Sequence, residues 1–340
     1  DDGASLQFTE ISLNASARLL PNLRAAGQVL YRQAGAQGEG GGTHYAFLDY
    51  QFFTETAYTA GIRGGRYKLP LGLYNETRDI AFTRPSIYPP QSAYPDRARD
   101  LQLSSDGALA YTDIFTDAGQ WTIELHAGQP RVDKEALRSA LGFLPGKVSD
   151  VGHHRAAGGR AMFQSSDGAW IASISRSDAE LHYTQALLPV VSTSIDVKFS
   201  YWIASLQYNI DQWTFTAEYG HMDLNLDSKL FEKNLHPLFY YAQATRRLDQ
   251  HWSVYSRYDN IYWDRHDPSG DDYAELSGQQ DFSNFAHDYN FGVRYDVDSN
   301  AMISAEYHYI NGTAWLSRDD NPDVSARYWS MVALEFAYRF

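Results

Sequence analysis

What most narrows the folds open to this chain is the rhythm of its connectors. Segments of about ten residues, apolar at every second position, are joined by links that are short, then long, then short again. The short links are Pro21-Asn22, Thr54–Ala57, Thr116–Gln120, Ser165–Ala169, Asn209–Gln212, Leu248–His251 and Val297–Asn300. The long ones are 36–43, 72–105, 129–155, 182–193, 225–236, 264–285 and 311–326. An up-and-down antiparallel barrel in a membrane has this asymmetry, with tight turns at one rim and extended loops at the other. A soluble sandwich or propeller mixes its connector lengths.

Each segment separates its residues into two faces. Trp213, Phe215, Ala217 and Tyr219 oppose Thr214, Thr216 and Glu218, and Ile11, Leu13, Ala15, Ala17 and Leu19 oppose Glu10, Ser12, Asn14, Ser16 and Arg18. Such alternation cancels in an average, which explains a mean hydropathy of −0.47. No apolar run, Ala186–Val191 included, approaches the roughly 20 residues of a membrane helix. Four Trp residues, Trp121, Trp170, Trp213 and Trp252, directly follow short links, as an aromatic girdle at one membrane interface would require. The parity predicts that Ala17, Val29, Leu125, Trp213, Val254, Val293, Ala305 and Leu334 face lipid.

The whole chain, 1–340, reads as one barrel domain. Fifteen strands are visible, at about 5–19, 23–35, 44–53, 58–69, 107–115, 121–128, 156–164, 170–181, 195–208, 213–224, 238–247, 252–263, 286–296, 301–310 and 327–340. Single-chain bacterial barrels have even strand numbers, so the expectation is sixteen, with the first strand missing from this chain. No basic, apolar leader opens the sequence, which reads as a mature or trimmed chain. The net charge of −14 argues against nucleic acid as a partner, and the absence of Cys excludes disulfides and thiolate metal sites.

In the last segment Tyr328, Val332, Leu334, Phe336, Tyr338 and Phe340 share one parity. Phe336, Tyr338 and a terminal Phe340 resemble the C-terminal signal of bacterial outer-membrane barrels, which the barrel-assembly machinery reads. With a first strand added, 72–105 becomes the third outer loop, and here the chain resembles a porin. That resemblance implies an integral outer-membrane protein with periplasmic termini, surrounded by lipid and lipopolysaccharide, with a homotrimer as one assembly. It also implies that 72–105 folds inward and narrows the pore.

Lumen charges then decide what passes. On this parity Arg24, Arg32, Asp49 and Arg63 point inward, and a bulge at Gly64-Gly65 would turn Arg66 and Lys68 inward too. The long loop adds Arg78, Arg84, Arg97 and Arg99. Across the lumen stand Glu124, Glu218, Asp259, Asp288, Glu306 and Glu335, with Arg257 and Arg294 among the lining residues. A basic wall facing carboxylates orients polar solutes and favours anions where the basic side dominates. In the competing view these Arg residues pair with Asp49, Glu76, Asp79, Asp96 and Asp100 and pin the loop to the wall.

No catalytic residue, cofactor or metal is expected. His153, His154 and His126 have no zinc-motif spacing, and the acids at Asp264, Asp267, Asp271, Asp272, Asp319, Asp320 and Asp323 lack EF-hand spacing. Lys134–Phe143 reads as a short loop helix packed as a cap. The leading function is a passive outer-membrane channel for small hydrophilic solutes. The alternatives are a non-conducting barrel scaffold or envelope-assembly subunit and, further off, an enzyme barrel around Glu218 and His221.

Overall fold

The computed structural model describes residues 8–34, 39–132, 134–141, 146–188, 191–316 and 326–340. They form one antiparallel up-and-down sheet. Its strands are β1 (Phe8–Leu20), β2 (Leu23–Ala34), β3 (Glu39–Thr54), β4 (Tyr58–Lys68), β5 (Ser104–Thr116), β6 (Gly119–Pro130), β7 (Lys147–Ser165) and β8 (Trp170–Leu188). They continue as β9 (Val191–Ile210), β10 (Trp213–Ser228), β11 (Glu232–Leu235), β12 (Leu238–Arg247), β13 (Trp252–Tyr262), β14 (Phe285–Asp296), β15 (Ala301–Gly312) and β16 (Tyr328–Tyr338). Three short helices lie in long connectors: α1 (Arg99–Leu103), α2 (Lys134–Leu141) and α3 (Asp271–Ser277). The seven short links all fall between consecutive strands.

Fifteen strands follow one another around the sheet, and the short β11 pairs only with the tip of β10. Among the described residues no ladder joins β1 to β16, so the sheet is not closed. Because the path is odd and each neighbour antiparallel, β1 and β16 run in the same direction.

The faces divide as the alternation requires. Val254, Val293, Ala305 and Leu334 form one outward row across β13–β16. Val332 and Leu334 are 69% and 78% exposed, an arrangement stable only against lipid. Trp121, Trp170, Trp213 and Trp252 are all exposed at the short-turn end, and three of them pack on Phe163, Tyr208 and Tyr295. Toward the other end Tyr219, Tyr289, Tyr309 and Tyr328 form a second exposed ring. These two belts bound the apolar band, as interfacial aromatics do.

Strands β7–β10 continue well past this band, and there their polarity inverts. The outward side carries Arg176 paired with Asp178 at 2.7 Å and Arg155 paired with Glu180 at 2.6 Å. The inward side buries Leu181, Tyr183, Ile195, Val197, Leu224 and Leu226. The expected long links 182–193 and 225–236 are therefore largely strand, and the last third of 129–155 is too: β7 begins at Lys147, β8 and β9 run to Leu188 and from Val191, and β11 lies within 225–236. Above the membrane water lies outside the wall, so apolar residues turn inward there and the outward apolar pattern stops. The predicted helix at Lys134–Phe143 is α2, ending at Leu141; Phe143 lies outside the described residues, as do Asp319, Asp320 and Asp323.

Candidate functional site in the barrel lumen

Between β4 and β5 the chain leaves the wall and crosses the lumen. Gly72, with φ 54°, begins the crossing where any side chain would collide with Tyr94 and Glu218. From there the loop is tied to walls on opposite sides. On β7, Arg160 donates to the Gly72 carbonyl at 3.1 Å and to Glu76 at 2.6 Å. On β8, Ser175 Oγ accepts from Gly72 N–H at 3.0 Å. On β10, Glu218 accepts from Leu73 N–H at 2.9 Å and from the Tyr94 hydroxyl at 2.7 Å. Tyr201 of β9 donates to the Ala93 carbonyl at 2.5 Å.

The far wall holds the loop's other end of travel. Glu306 of β15 accepts from Ile87 N–H at 2.8 Å and Tyr88 N–H at 3.2 Å. Arg257 of β13 donates to Ser86 Oγ at 3.0 Å and the Tyr88 carbonyl at 3.2 Å, and Arg294 of β14 to the Arg84 carbonyl at 3.2 Å. Glu306 is itself fixed by Tyr255 at 2.5 Å and by His308 at 2.9 Å, whose other ring nitrogen meets Asp288 at 2.7 Å. Near the short-turn end Phe82 lies between the guanidinium groups of Arg294 and Arg339, 5.6 and 4.4 Å from its ring centre.

A third group of contacts closes the circuit on β2–β4. Asp79 binds Lys68 at 2.8 Å, His44 at 3.1 Å and Arg99. Asp96 binds Arg32, with Arg78 at 3.5 Å and Arg99 at 3.8 Å. Burial alone would raise both carboxyls, but Arg99 and Lys68 hold Asp79 well below the ordinary carboxylate range, and Arg32 and Arg99 hold Asp96 below it. Between loop and wall lies an apolar cluster that includes Tyr67, Leu69, Leu71, Tyr94, Tyr201, Ile203, Phe239 and Tyr241.

The charged residues expected to line a pore therefore stand in three kinds of place. Arg32, Lys68, Arg78, Arg84, Arg99, Glu218, Arg257, Asp259, Asp288 and Glu306 are buried against the loop or within it. Arg84 spends its donors on the carbonyls of Arg78, Ser86 and Ile87. Asp49, Arg63 and Arg294 are half-buried and Arg24 is exposed in the short-turn half of the lumen, with exposed Gln164 and half-buried Gln207. Arg63 lies 3.6 Å from Asp49, between the rings of Phe47 and Tyr111. Arg97 points the other way, toward α2 and Trp263.

Arg66 corrects the expectation. The ladders of β4 with β3 and β5 pass through Gly64 and Gly65 without a register shift, so there is no bulge. Arg66 stays on the outward face and pairs with Asp106, directly opposite on β5, at 2.6 Å. Tyr67 and Leu69, which such a bulge would have turned toward lipid, are buried inside at 1% and 2% exposure. Gly65 has a different reason: its φ is 124°, and a Cβ there would lie 2.5 Å from the Ala46 carbonyl oxygen. The alternation read as broken was apolar residues turning inward to meet the loop.

Arg160 escaped the sequence reading. It faces Glu124 directly across β6–β7 and binds it at 2.6 Å. These strands are joined by a long connector, so nothing local in the sequence sets their register.

No protein-family model matches the chain, and no curated protein matches it. Solved structures do. An OmpT loop L8 deletion mutant, an outer-membrane protein of Vibrio cholerae, matches with a TM-score of 0.57 at 12% identity over 97% of this chain and 90% of that one. The outer-membrane channel DcaP of Acinetobacter baumannii matches at 0.57 and 11% identity, over 98% and 85%. OmpF of Salmonella typhi, in complex with daunomycin, matches at 0.55 and 11%, over 98% and 90%. The fold is that of a porin-like outer-membrane β-barrel.

Proposed function

We propose that this protein is an outer-membrane channel for small hydrophilic solutes, with loop 72–105 as its constriction and the end of β16 at the periplasmic, short-turn end. The observation that carries the reading is the loop itself, held across the lumen by side chains from β7–β10 on one side and β13–β15 on the other. A purely structural insert would not need exposed Arg24 and half-buried Asp49 and Arg63 below it, facing a hydrated chamber. The Arg24 and Arg63 guanidinium groups add positive charge there, which acts on a permeating ion only within about a Debye length of 8–10 Å. The chemistry is passive, with no catalytic step. Lipid, lipopolysaccharide, the assembly machinery and small solutes are its partners, and a homotrimer is the assembly to test by mass in detergent.

A non-conducting scaffold is favoured by one observation, the near-complete burial of Glu218, Asp259, Asp288 and Glu306 at loop level. Planar-bilayer recording separates the two. The channel reading expects small discrete conductance steps and, in a salt gradient, a reversal potential that shifts toward cations in Arg24→Gln with Arg63→Gln. A folded barrel without conductance would leave the scaffold.

A further inference from the structure

The lumen carries two closures of different build. The loop is a floor, fixed by buried groups around the wall. Above it lies α2, inside the long-loop mouth. Its Leu137 is fully buried among Leu181, Tyr183, Ile195, Val197, Leu224 and Leu226, the inward residues of β8–β10 where those strands stand above the lipid band. Near its carboxyl end the Ala140 carbonyl accepts from Arg97 Nη2 at 3.0 Å. The same guanidinium donates through Nη1 to the Ala314 carbonyl at 3.2 Å and covers the Trp263 ring at 4.8 Å.

We propose that α2 is a lid over the outer mouth, latched by Arg97, and that the loop beneath it is a static floor. The last carbonyls of a helix lack intrahelical partners and carry the negative end of its dipole, so a guanidinium is the natural group to hold them. Arg97 belongs to the floor but is only half-buried, so water competes for its bonds. The floor's links at Glu218, Glu306 and Asp79 are buried. Segments open in order of how few buried contacts hold them, and α2 therefore opens before the loop moves. Ala314 and Trp263, bound by the same guanidinium, tie two further outer connectors to the latch.

The chain has no cysteine, so Val197→Cys places a single thiol under the lid, where Val197 is 2% exposed. A membrane-impermeant maleimide is added from the long-loop side of reconstituted protein. Ser194→Cys, exposed on the outward face of β9, reports folded and accessible barrel in every background. Val197→Cys should label slowly beside Ser194→Cys. Adding Arg97→Ala should speed it about tenfold, the change expected from one lost charge-assisted hydrogen bond, and Arg97→Lys less. Leu137→Ala should act in the same direction, and Arg155→Ala, on the outer surface, should not. Equal labelling at the two thiols in the parent protein would overturn the proposal, as would an unchanged rate in both Arg97→Ala and Leu137→Ala. Labelling reports access rather than ion flow, so this outcome stands apart from the conductance test.

Discussion

Arg160 is the buried charge that grips the start of the loop most directly. Its guanidinium makes two bonds to Glu124, at 2.9 and 2.6 Å, one to Glu76 at 2.6 Å and one to the Gly72 carbonyl at 3.1 Å. The Arg160 and Glu124 side chains are 7% and 4% exposed, whereas Glu76 is 31% exposed. Arg160→Ala therefore leaves buried Glu124 with only Arg63, 4.0 Å away, as a cation and leaves Glu76 where water can still reach it. Removing one partner of a buried pair costs about 3–5 kcal/mol, and the accessible Glu76 adds little. Adding Glu124→Gln to Arg160→Ala removes the stranded charge and should recover about 1–3 kcal/mol, the usual coupling within one network. Denaturant unfolding in detergent, followed by tryptophan emission, measures both. A loss below about 1 kcal/mol for Arg160→Ala, or strict additivity with Glu124→Gln, would refute the view that this network anchors the loop.

Arg substitution at Val293 or Leu334, in the outward row, should cost about 2–4 kcal/mol near the bilayer centre and reduce assembled protein; wild-type assembly of both would reverse the face assignment. Removal of Phe340 should lower outer-membrane levels, as the terminal aromatic signal implies, and normal levels would count against that resemblance. The Asp79 and Asp96 carboxyls lie below their ordinary range when folded, so their anchoring is fully present above about pH 4, the unfolded value, and fades as pH falls through the lowered folded values. The part of any conductance change that belongs to Asp79 and Asp96 should appear below about pH 4 and be absent in Asp79→Asn with Asp96→Asn; a change below about pH 4 that persists in that variant would assign the anchoring to other groups.

The wall was legible in the sequence because lipid enforces it. Val254, Val293, Ala305 and Leu334 could be placed by parity, since a one-residue slip would turn each strand's apolar set into the lumen. Where that constraint lapses, so did the reading. Above the membrane Tyr183, beside Leu181 and Ile195, is apolar on the inward side, so no outward apolar pattern marked 182–193 as strand. At Tyr67 and Leu69 apolar residues meet a folded loop instead of lipid, and parity alone cannot distinguish the two environments. The lumen charges were found as residue types, but their pairing was not. Arg160 with Glu124, Arg257 with Ser86 and Glu306 with Ile87 join strands or segments far apart in sequence, whose register no short turn sets. Glu218 is bound by neutral donors alone among the described contacts that hold it, Leu73, Tyr94 and Ser205, which no charge pattern announces.

On the proposed reading, residues 72–105 occupy the lumen and set what passes. Single-channel conductance in planar bilayers tests it most directly, comparing the intact protein with a variant in which 76–98 is replaced by a short flexible linker and the folded barrel is verified by its near-ultraviolet circular dichroism. The loop lies across the lumen between opposite walls, so the variant should conduct several-fold more than the intact protein and lose the charge preference that Arg24 and Arg63 impart, as an unobstructed wide barrel would. Equal conductance from the two proteins, both correctly folded, would contradict the account.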